Sequence, residues 1–161
     1  MPPPAAFYRP DALPADQNVG YLMKRIVNGL GHDIDALLAS QGLTHAQWMP
    51  IYKLHLGQGR TVAELAAACL MDAGAMTRTL DRLERKGLVR RTRSAQDRRV
   101  VDLALTPQGR AAAAGIPFVL CEVLNARLAG FSREEWQQLQ SFLSRMLDNA
   151  AGSGAGPLTP R

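Results

Sequence analysis

The chain has 161 residues, enough for one domain with a buried core, and its hydrophobic content of 47% excludes a disordered polymer. It carries a net charge of +5 and two cysteines, Cys69 and Cys121, whose separation predicts neither a metal site nor a disulfide framework. No apolar run reaches the roughly 18 residues that a membrane span needs, and the first residues lack the pattern of a secretion signal. We therefore expect a protein of the reducing cytoplasm with no membrane partner.

The first half of the chain predicts an arm followed by two helices. Residues 1–18 are rich in Pro and Ala and predict the N-terminal arm, while residues 151–161 predict a flexible tail at the other end. From 19 to about 39, apolar residues recur at the spacing of an α-helix, which Gly42 ends. Thr44 and Gln47 match a capping box, in which each side chain bonds the other residue's backbone amide. This pattern predicts a second helix that ends near Leu56.

Two further helices are predicted by their caps. Thr61 and Glu64 match another capping box, before a short third helix, and Asp72 can cap a fourth helix over residues 73–86. With about 100° of rotation per residue, the fourth helix has two unlike faces. Its inner face is apolar and consists of Ala73, Met76, Leu80 and Leu83. Its outer face carries Gly74, Arg78, Arg82 and Arg85.

A β-hairpin and two long helices complete the chain. Residues 89–93 predict one strand, and residues 101–105 alternate between apolar and polar side chains as the second. Thr106 and Pro107 then form a cap and a first helical position, so a helix is predicted to about residue 129, bent near Gly115 and Pro117. Ser132 and Glu135 predict the start of the last helix. Its apolar stripe consists of Trp136, Leu139, Phe142, Leu143, Met146 and Leu147.

The positive charge is concentrated in one segment. Residues 78–99 contain nine basic and three acidic residues, a net charge of +6, so the rest of the chain carries −1. A charge surplus that served only solubility would be spread along the chain. Its confinement to the fourth helix and the hairpin favours contact with phosphates of nucleic acid.

The order of these elements is that of a winged helix-turn-helix, with a mainly α fold and a small β-hairpin wing. The fourth helix would enter the major groove, where its small first turn permits close approach and Arg78 can reach a base edge, with guanine preferred. Arg82 and Arg85 lie further along and are expected to hold phosphates. The basic wing tip, with Arg98 and Arg99, can reach the neighbouring minor groove.

Two stretches of this sequence resemble the MarR family of bacterial regulators. Residues 76–89, MTRTLDRLERKGLV, are similar to the family's recognition helix, and residues 97–109, DRRVVDLALTPQG, to its wing and the strand that leaves it. The resemblance extends from about 19 to 150. It implies DNA contacts from Thr77, Arg78 and Arg99, and a role for the carboxylate of Asp97 in holding the wing arginine.

The resemblance also implies a homodimer with intertwined terminal helices. A MarR-type domain is expected over residues 19–150, with a DNA-binding lobe at 61–105 and dimerisation helices at 19–40 and 107–150. Such a dimer would bind a pseudo-palindromic operator in double-stranded DNA. We expect a repressor that a ligand releases from DNA, although repression and activation are not distinguished by the residues themselves.

An aromatic and imidazole cluster is the candidate for the ligand pocket. His45, Trp48, Tyr52 and His55 lie on the apolar arc of the second helix. They can equally form core and interface packing or a pocket, and a pocket of this composition suits a small aromatic carboxylate or phenol. The resemblance places a pocket between this helix, the DNA-binding lobe and the dimerisation helices, where Arg91 could supply a counter-charge. The candidate residues are Asp33, His45, Trp48, Tyr52, His55 and Arg91.

Other functions are less well supported by the sequence. A winged-helix module for protein–protein contact, without sequence-specific DNA binding, is the main alternative, but the basic segment and Arg78 argue against it. No nucleophile–base pair, phosphate loop or metal signature indicates an enzyme. No cofactor motif is present in the sequence.

Overall fold

A computed structural model describes residues 7–93 and 101–152 of the chain. The helices are α1 (Val19–Leu38), α2 (His45–His55), α3 (Val62–Ala68), α4 (Ala73–Arg85), α5 (Pro107–Arg127) and α6 (Arg133–Gly152). Strands β1 (Val89–Arg93) and β2 (Val101–Leu105) pair antiparallel, with Val89 opposite Leu105 and Arg93 opposite Val101. The mainly α fold with one hairpin is confirmed. None of the helices described here is long and apolar enough to cross a membrane.

The chain forms two compact units, which divide between Val123 and Leu124. The first unit holds the apolar core, to which α1 to α5 and both strands contribute. Each fully buried leucine or isoleucine contributes about 1.5–3 kcal/mol through removal of its side chain from water. The largest wholly buried side chains include Leu38, Ile51, Leu65, Met76, Leu80, Leu83 and Ile116.

Most of the predicted helix caps are present. The Thr61 hydroxyl accepts a hydrogen bond from the Glu64 amide, and the Glu64 carboxylate accepts from the Thr61 amide, so α3 begins with a complete capping box. Asp72 accepts from the Ala75 amide at 2.8 Å and caps α4. Ser132 and Glu135 bond each other's amides in the same reciprocal way at the start of α6.

The predicted capping box at α2 is wrong. Thr44 precedes the helix but makes no side-chain cap bond. Gln47 is buried, and its Oε1 accepts a hydrogen bond from the Lys86 ammonium at 2.9 Å. A buried amide oxygen requires a donor, and here a charged group from the end of α4 supplies it in place of the local backbone.

The predicted inner face of α4 needs one correction. Ala73 is exposed and Thr79 is buried, alongside Met76, Leu80 and Leu83. Thr79 directly precedes Leu80 in the buried arc, whereas Ala73 lies in the first turn, at the exposed end of the helix. The buried face of α4 therefore begins at Met76 and not at Ala73, and it includes Thr79. Ala73, in the first turn of the helix, is exposed to solvent.

Two backbone contacts fix the hairpin to the helices. The Leu103 amide donates to the Arg60 carbonyl at 2.7 Å, so Arg60, two residues before α3, adds one backbone hydrogen bond to the hairpin. On the other side, the Thr106 amide donates to the Leu88 carbonyl at 3.1 Å, and the Thr106 hydroxyl accepts from the Gly109 amide at 3.0 Å. The hairpin is thus held by hydrogen bonds to neighbouring parts of the chain.

Candidate nucleic-acid interface

The predicted outer face of α4 is exposed. Gly74, Thr77, Arg78, Arg82 and Arg85 all face solvent, so every residue chosen on this helix for DNA contact is accessible. The Thr77 hydroxyl donates to the Ala73 carbonyl at 2.8 Å, which holds it beside the helix and leaves its lone pairs free to accept. This arrangement presents hydrogen-bonding groups and positive charge on one side of a slim helix.

The guanidinium of Arg78 lies beside Gly74. A Cβ atom on Gly74 would lie 3.6 Å from Nη1 of Arg78 and 3.2 Å from Oδ1 of Asp72. The guanidinium of Arg78 therefore extends back along the helix toward its N-terminus, as long side chains of helices usually do. The N-terminal turn is the part of a recognition helix that approaches bases.

Arg91 of β1 contacts both acidic residues of α4. Nη1 of Arg91, on β1, lies 2.7 Å from Oδ1 of Asp81 and 2.8 Å from Oε2 of Glu84. Nη2 of Arg91 also approaches the Thr77 carbonyl at 3.4 Å. These contacts tie β1 to α4, and the single positive charge of Arg91 offsets part of the negative charge that lies beside the arginine face of α4. Arg91 is also the residue expected to supply a counter-charge in a ligand pocket, and its guanidinium here contacts two carboxylates.

The wing tip lies outside the described residues. Asp97, Arg98 and Arg99, together with the role of the Asp97 carboxylate, therefore stay predictions from the sequence.

The structure brings part of the candidate ligand cluster together. The His45 ring packs edge-on against Trp48, with 5.6 Å between centroids and 88° between planes. Tyr52 is half-buried in the same helix, His55 is exposed at its end, and Asp33 is half-buried on α1.

Asp35, which was not among the residues expected from the sequence, lies beside His45 of this cluster. Its Oδ1 is 3.6 Å from Nδ1 of His45. Within the described chain, Oδ1 of Asp35 and Nε1 of Trp48 are both inaccessible to solvent and have no hydrogen-bond partner. Asp33 can be recognised in the sequence because it interrupts an apolar arc, whereas Asp35 is distinguished only by its contact with His45 on α2.

A second feature that the sequence did not reveal is a cleft between α2 and the end of α4. It has a volume of about 280 Å³ and is lined by Gln47, Arg82, Arg85 and Lys86. We call it the α2–α4 cleft. Gln47 resembles a capping residue in sequence, so its contact with Lys86, 39 residues away, could not be anticipated from local patterns.

Comparison with known proteins agrees with this geometry. The model of the MarR family matches residues 43–101, from the end of the α1–α2 connection into the wing. The HTH-type transcriptional regulator TtmR of Methylorubrum extorquens (strain PA1) is 32% identical over 102 residues. That match covers 63% of this chain but only 52% of TtmR, so it spans about half the length of this relative.

Two solved structures match nearly their whole length. Transcriptional regulator PA3341 is 31% identical with a TM-score of 0.76, over 84% of this chain and 99% of that one. The transcriptional repressor CouR, solved bound to a 23-mer DNA duplex, is 31% identical with a TM-score of 0.71, over 82% of this chain and 94% of that one. With its winged helix-turn-helix elements and these relatives, the chain belongs to the MarR family of transcriptional regulators.

Proposed function

We propose that this protein is a homodimeric repressor that binds a pseudo-palindromic operator through α4 and the wing. The observation that carries the proposal is the exposed arginine face of α4, whose neighbouring acids are engaged by Arg91. Arg78 would read a base edge, while Arg82 and Arg85 would contact phosphates. The DNA-bound state of CouR and its description as a repressor support the proposal by similarity.

The test is selection of duplexes from a random-sequence pool. Two recognition helices related by a two-fold axis should enrich a pseudo-palindrome with half-sites about one helical turn, or roughly 10 bp, apart. Enrichment of no motif, with binding that depends only on salt, would contradict sequence-specific recognition and would favour a winged-helix module for protein contact.

Exposed apolar side chains support the homodimer. On α1, large apolar residues face solvent in the isolated chain, and the same is true of α6. Exposed apolar surface of this extent usually marks an interface, and a two-fold dimer would match the symmetry of a palindromic operator. The exposed residues are Val19, Leu22, Met23, Ile26 and Val27 on α1, and Phe142, Leu143, Met146 and Leu147 on α6.

Sedimentation of the wild type tests the assembly. We expect a dimer at micromolar concentration whose mass does not fall before the protein unfolds, since an interface this apolar makes assembly part of folding. Phe142→Asp should cause aggregation or unfolding, whereas Gln140→Asp, at an exposed polar position of the same helix, should not. A stable, monodisperse wild-type monomer would contradict the homodimer.

We also propose that an effector binds beside His45, Trp48 and Asp35 and weakens operator binding. Oδ1 of Asp35 is a buried acceptor and Nε1 of Trp48 is a buried donor. Neither has a hydrogen-bond partner within the described chain, although Nδ1 of His45 lies 3.6 Å from the Asp35 oxygen. A phenolic hydroxyl can donate to the first and accept from the second. A carboxylate can only accept, and it would meet the negative charge of Asp35, so the chemistry of these two groups favours a phenol over an aromatic acid.

Fluorescence of Trp48 tests the effector, in a Trp136→Phe background that leaves Trp48 as the single tryptophan. Phenol should change the emission and weaken operator binding, while anisole, which cannot donate, should do neither. Ligand can act only by binding the non-DNA geometry more tightly than the DNA-bound one. A change of emission with unchanged operator affinity would establish a pocket without a switch, and no response to any phenol would mean that the cluster is core.

A further inference from the structure

The α2–α4 cleft has the composition of an anion site. Three of its four lining side chains are cationic (Arg82, Arg85 and Lys86), and the fourth, Gln47, is a buried amide. Among the described residues, no acidic side chain lines it. Its volume of about 280 Å³ is near the lower limit for ligand pockets, so it suits a compact anion better than a large organic molecule.

The cationic groups of the cleft are held in place by the fold. The Lys86 ammonium donates to Oε1 of Gln47 at 2.9 Å and also to the Gly42 carbonyl. Nε of Arg85 donates to the Asp81 carbonyl at 3.2 Å, so its terminal amino groups remain for another acceptor. An ammonium and a guanidinium with fixed positions lose less side-chain entropy on binding an anion than freely moving groups do.

The charge of the cleft is not balanced by neighbouring carboxylates. The two acids nearest in sequence, Asp81 and Glu84, are both bound to Arg91. No ion pair joins Arg82 or Arg85 to a carboxylate within residues 7–93 and 101–152. The carbonyl end of α4 offers the equivalent of about −0.5 charge, which compensates only a fraction of three cations.

We propose that the α2–α4 cleft binds a phosphate group. A tetrahedral phosphate presents several acceptor oxygens, which fit the forked guanidinium of Arg85 together with Arg82 and the Lys86 ammonium. The phosphate can come from the DNA backbone or from a small phosphorylated molecule. Only the DNA source depends on the proposed function, because the cleft is formed within the chain itself.

Titration with inorganic phosphate, at an ionic strength held constant with chloride, tests the site on the free protein. The side-chain amide of Gln47, followed by NMR, should shift and saturate. Arg82→Gln and Arg85→Gln should each weaken phosphate binding by about tenfold, the effect of losing one charge-assisted hydrogen bond. The matched control is Arg90→Gln, an equal change of charge at an exposed position of β1, which should leave binding unchanged. Unchanged thermal unfolding of each variant confirms that the fold is intact.

Operator binding measured in the same buffers separates the two sources. If phosphate weakens operator binding by wild type but not by Arg85→Gln, the cleft holds a backbone phosphate in the complex. If phosphate saturates the cleft and operator binding is unaffected, the site serves a free phosphorylated molecule. A titration without saturation, or an equal loss in Arg90→Gln, would overturn the proposal. Because the titration needs no DNA, its result stands even if no operator is selected.

Discussion

The guanidinium of Arg91 lies 2.7 Å from the carboxylate of Asp81, and this ion pair joins the wing to the recognition helix. Glu84 completes the network at 2.8 Å from the same nitrogen. Arg91 is three-quarters buried while both carboxylates are substantially exposed, so water screens the pair in part. The main consequence of this ion-pair network is that β1, the strand that leads to the wing tip, is held against α4.

Removal of this network should therefore weaken DNA binding without removal of a DNA contact. Arg91→Met keeps the aliphatic stem and loses the charge, and we expect operator affinity to fall by about 1 kcal/mol or more because the wing is no longer held and two acids are released beside the interface. A double-mutant cycle with Asp81→Asn measures the coupling. Strictly additive effects of the two substitutions on operator affinity would show that the pair does not act as a unit.

Gly109 is required by the close packing of α5 on the hairpin. A Cβ atom at this position would lie 1.9 Å from the Leu88 carbonyl oxygen, a backbone atom that also accepts from the Thr106 amide. Gly109→Ala should lower the free energy of unfolding by about 1–3 kcal/mol or more, as overpacking does. Chemical denaturation measures the change.

Gly115→Ala, in the same helix, is the matched control. Its Cβ would meet the Gln41 side chain at 3.6 Å, an ordinary contact, and alanine favours helix over glycine by about 1 kcal/mol. This variant should be unchanged or more stable. Equal destabilisation by both substitutions would contradict the close approach at Leu88.

Leu70 adopts a backbone conformation that suits glycine. It lies between α3 and α4 with φ of 53°, and the residue is 96% exposed. Left-handed backbone costs a residue with a Cβ roughly 1–2 kcal/mol. Leu70→Gly should therefore be more stable than Leu70→Ala by about 1 kcal/mol, although both lose the same exposed side chain. The midpoints of thermal unfolding of the two variants are compared. An alanine variant that is at least as stable as the glycine variant would exclude backbone strain at Leu70.

Cys69 should be protected from thiol reagents. Burial raises the pKa of the Cys69 thiol, an effect that Lys53 offsets in part, so the reactive thiolate is scarce in the folded state. In a Cys121→Ser background, a disulfide reagent at pH 8 should label Cys69 only as fast as the protein unfolds. Rapid labelling of the folded protein would contradict the buried position.

The same raised pKa has a consequence for stability. As pH rises through the ordinary thiol range near about 8.5, the unfolded chain ionises before the folded one does. The stabilising contribution of the neutral thiol is complete below that range and is lost above it. The free energy of unfolding should therefore decline at alkaline pH by a larger amount in wild type than in Cys69→Ala.

The sequence predicted the elements well and the contacts between them poorly. Periodicity and caps located α1 to α6 and both strands, because these signals act within a few residues, as at Thr61 and Asp72. Gln47 is an example of a contact that was not predicted. Its sequence pattern matches the capping box that forms at Thr61, but the Gln47 side chain accepts a hydrogen bond from Lys86. The partners of Arg91 and the position of Asp35 likewise depend on packing between elements, which no local pattern encodes.

The most direct test of the central claim is the ratio of dissociation constants for the selected operator and a scrambled duplex at physiological salt. Wild type should prefer the operator by about 10³ or more. Arg78→Ala should lose about 1–3 kcal/mol on the operator and little on the scrambled duplex, because a base contact is removed. Arg85→Ala should weaken both alike and flatten the salt dependence. Equal affinity of wild type for the two duplexes would contradict sequence-specific recognition by α4.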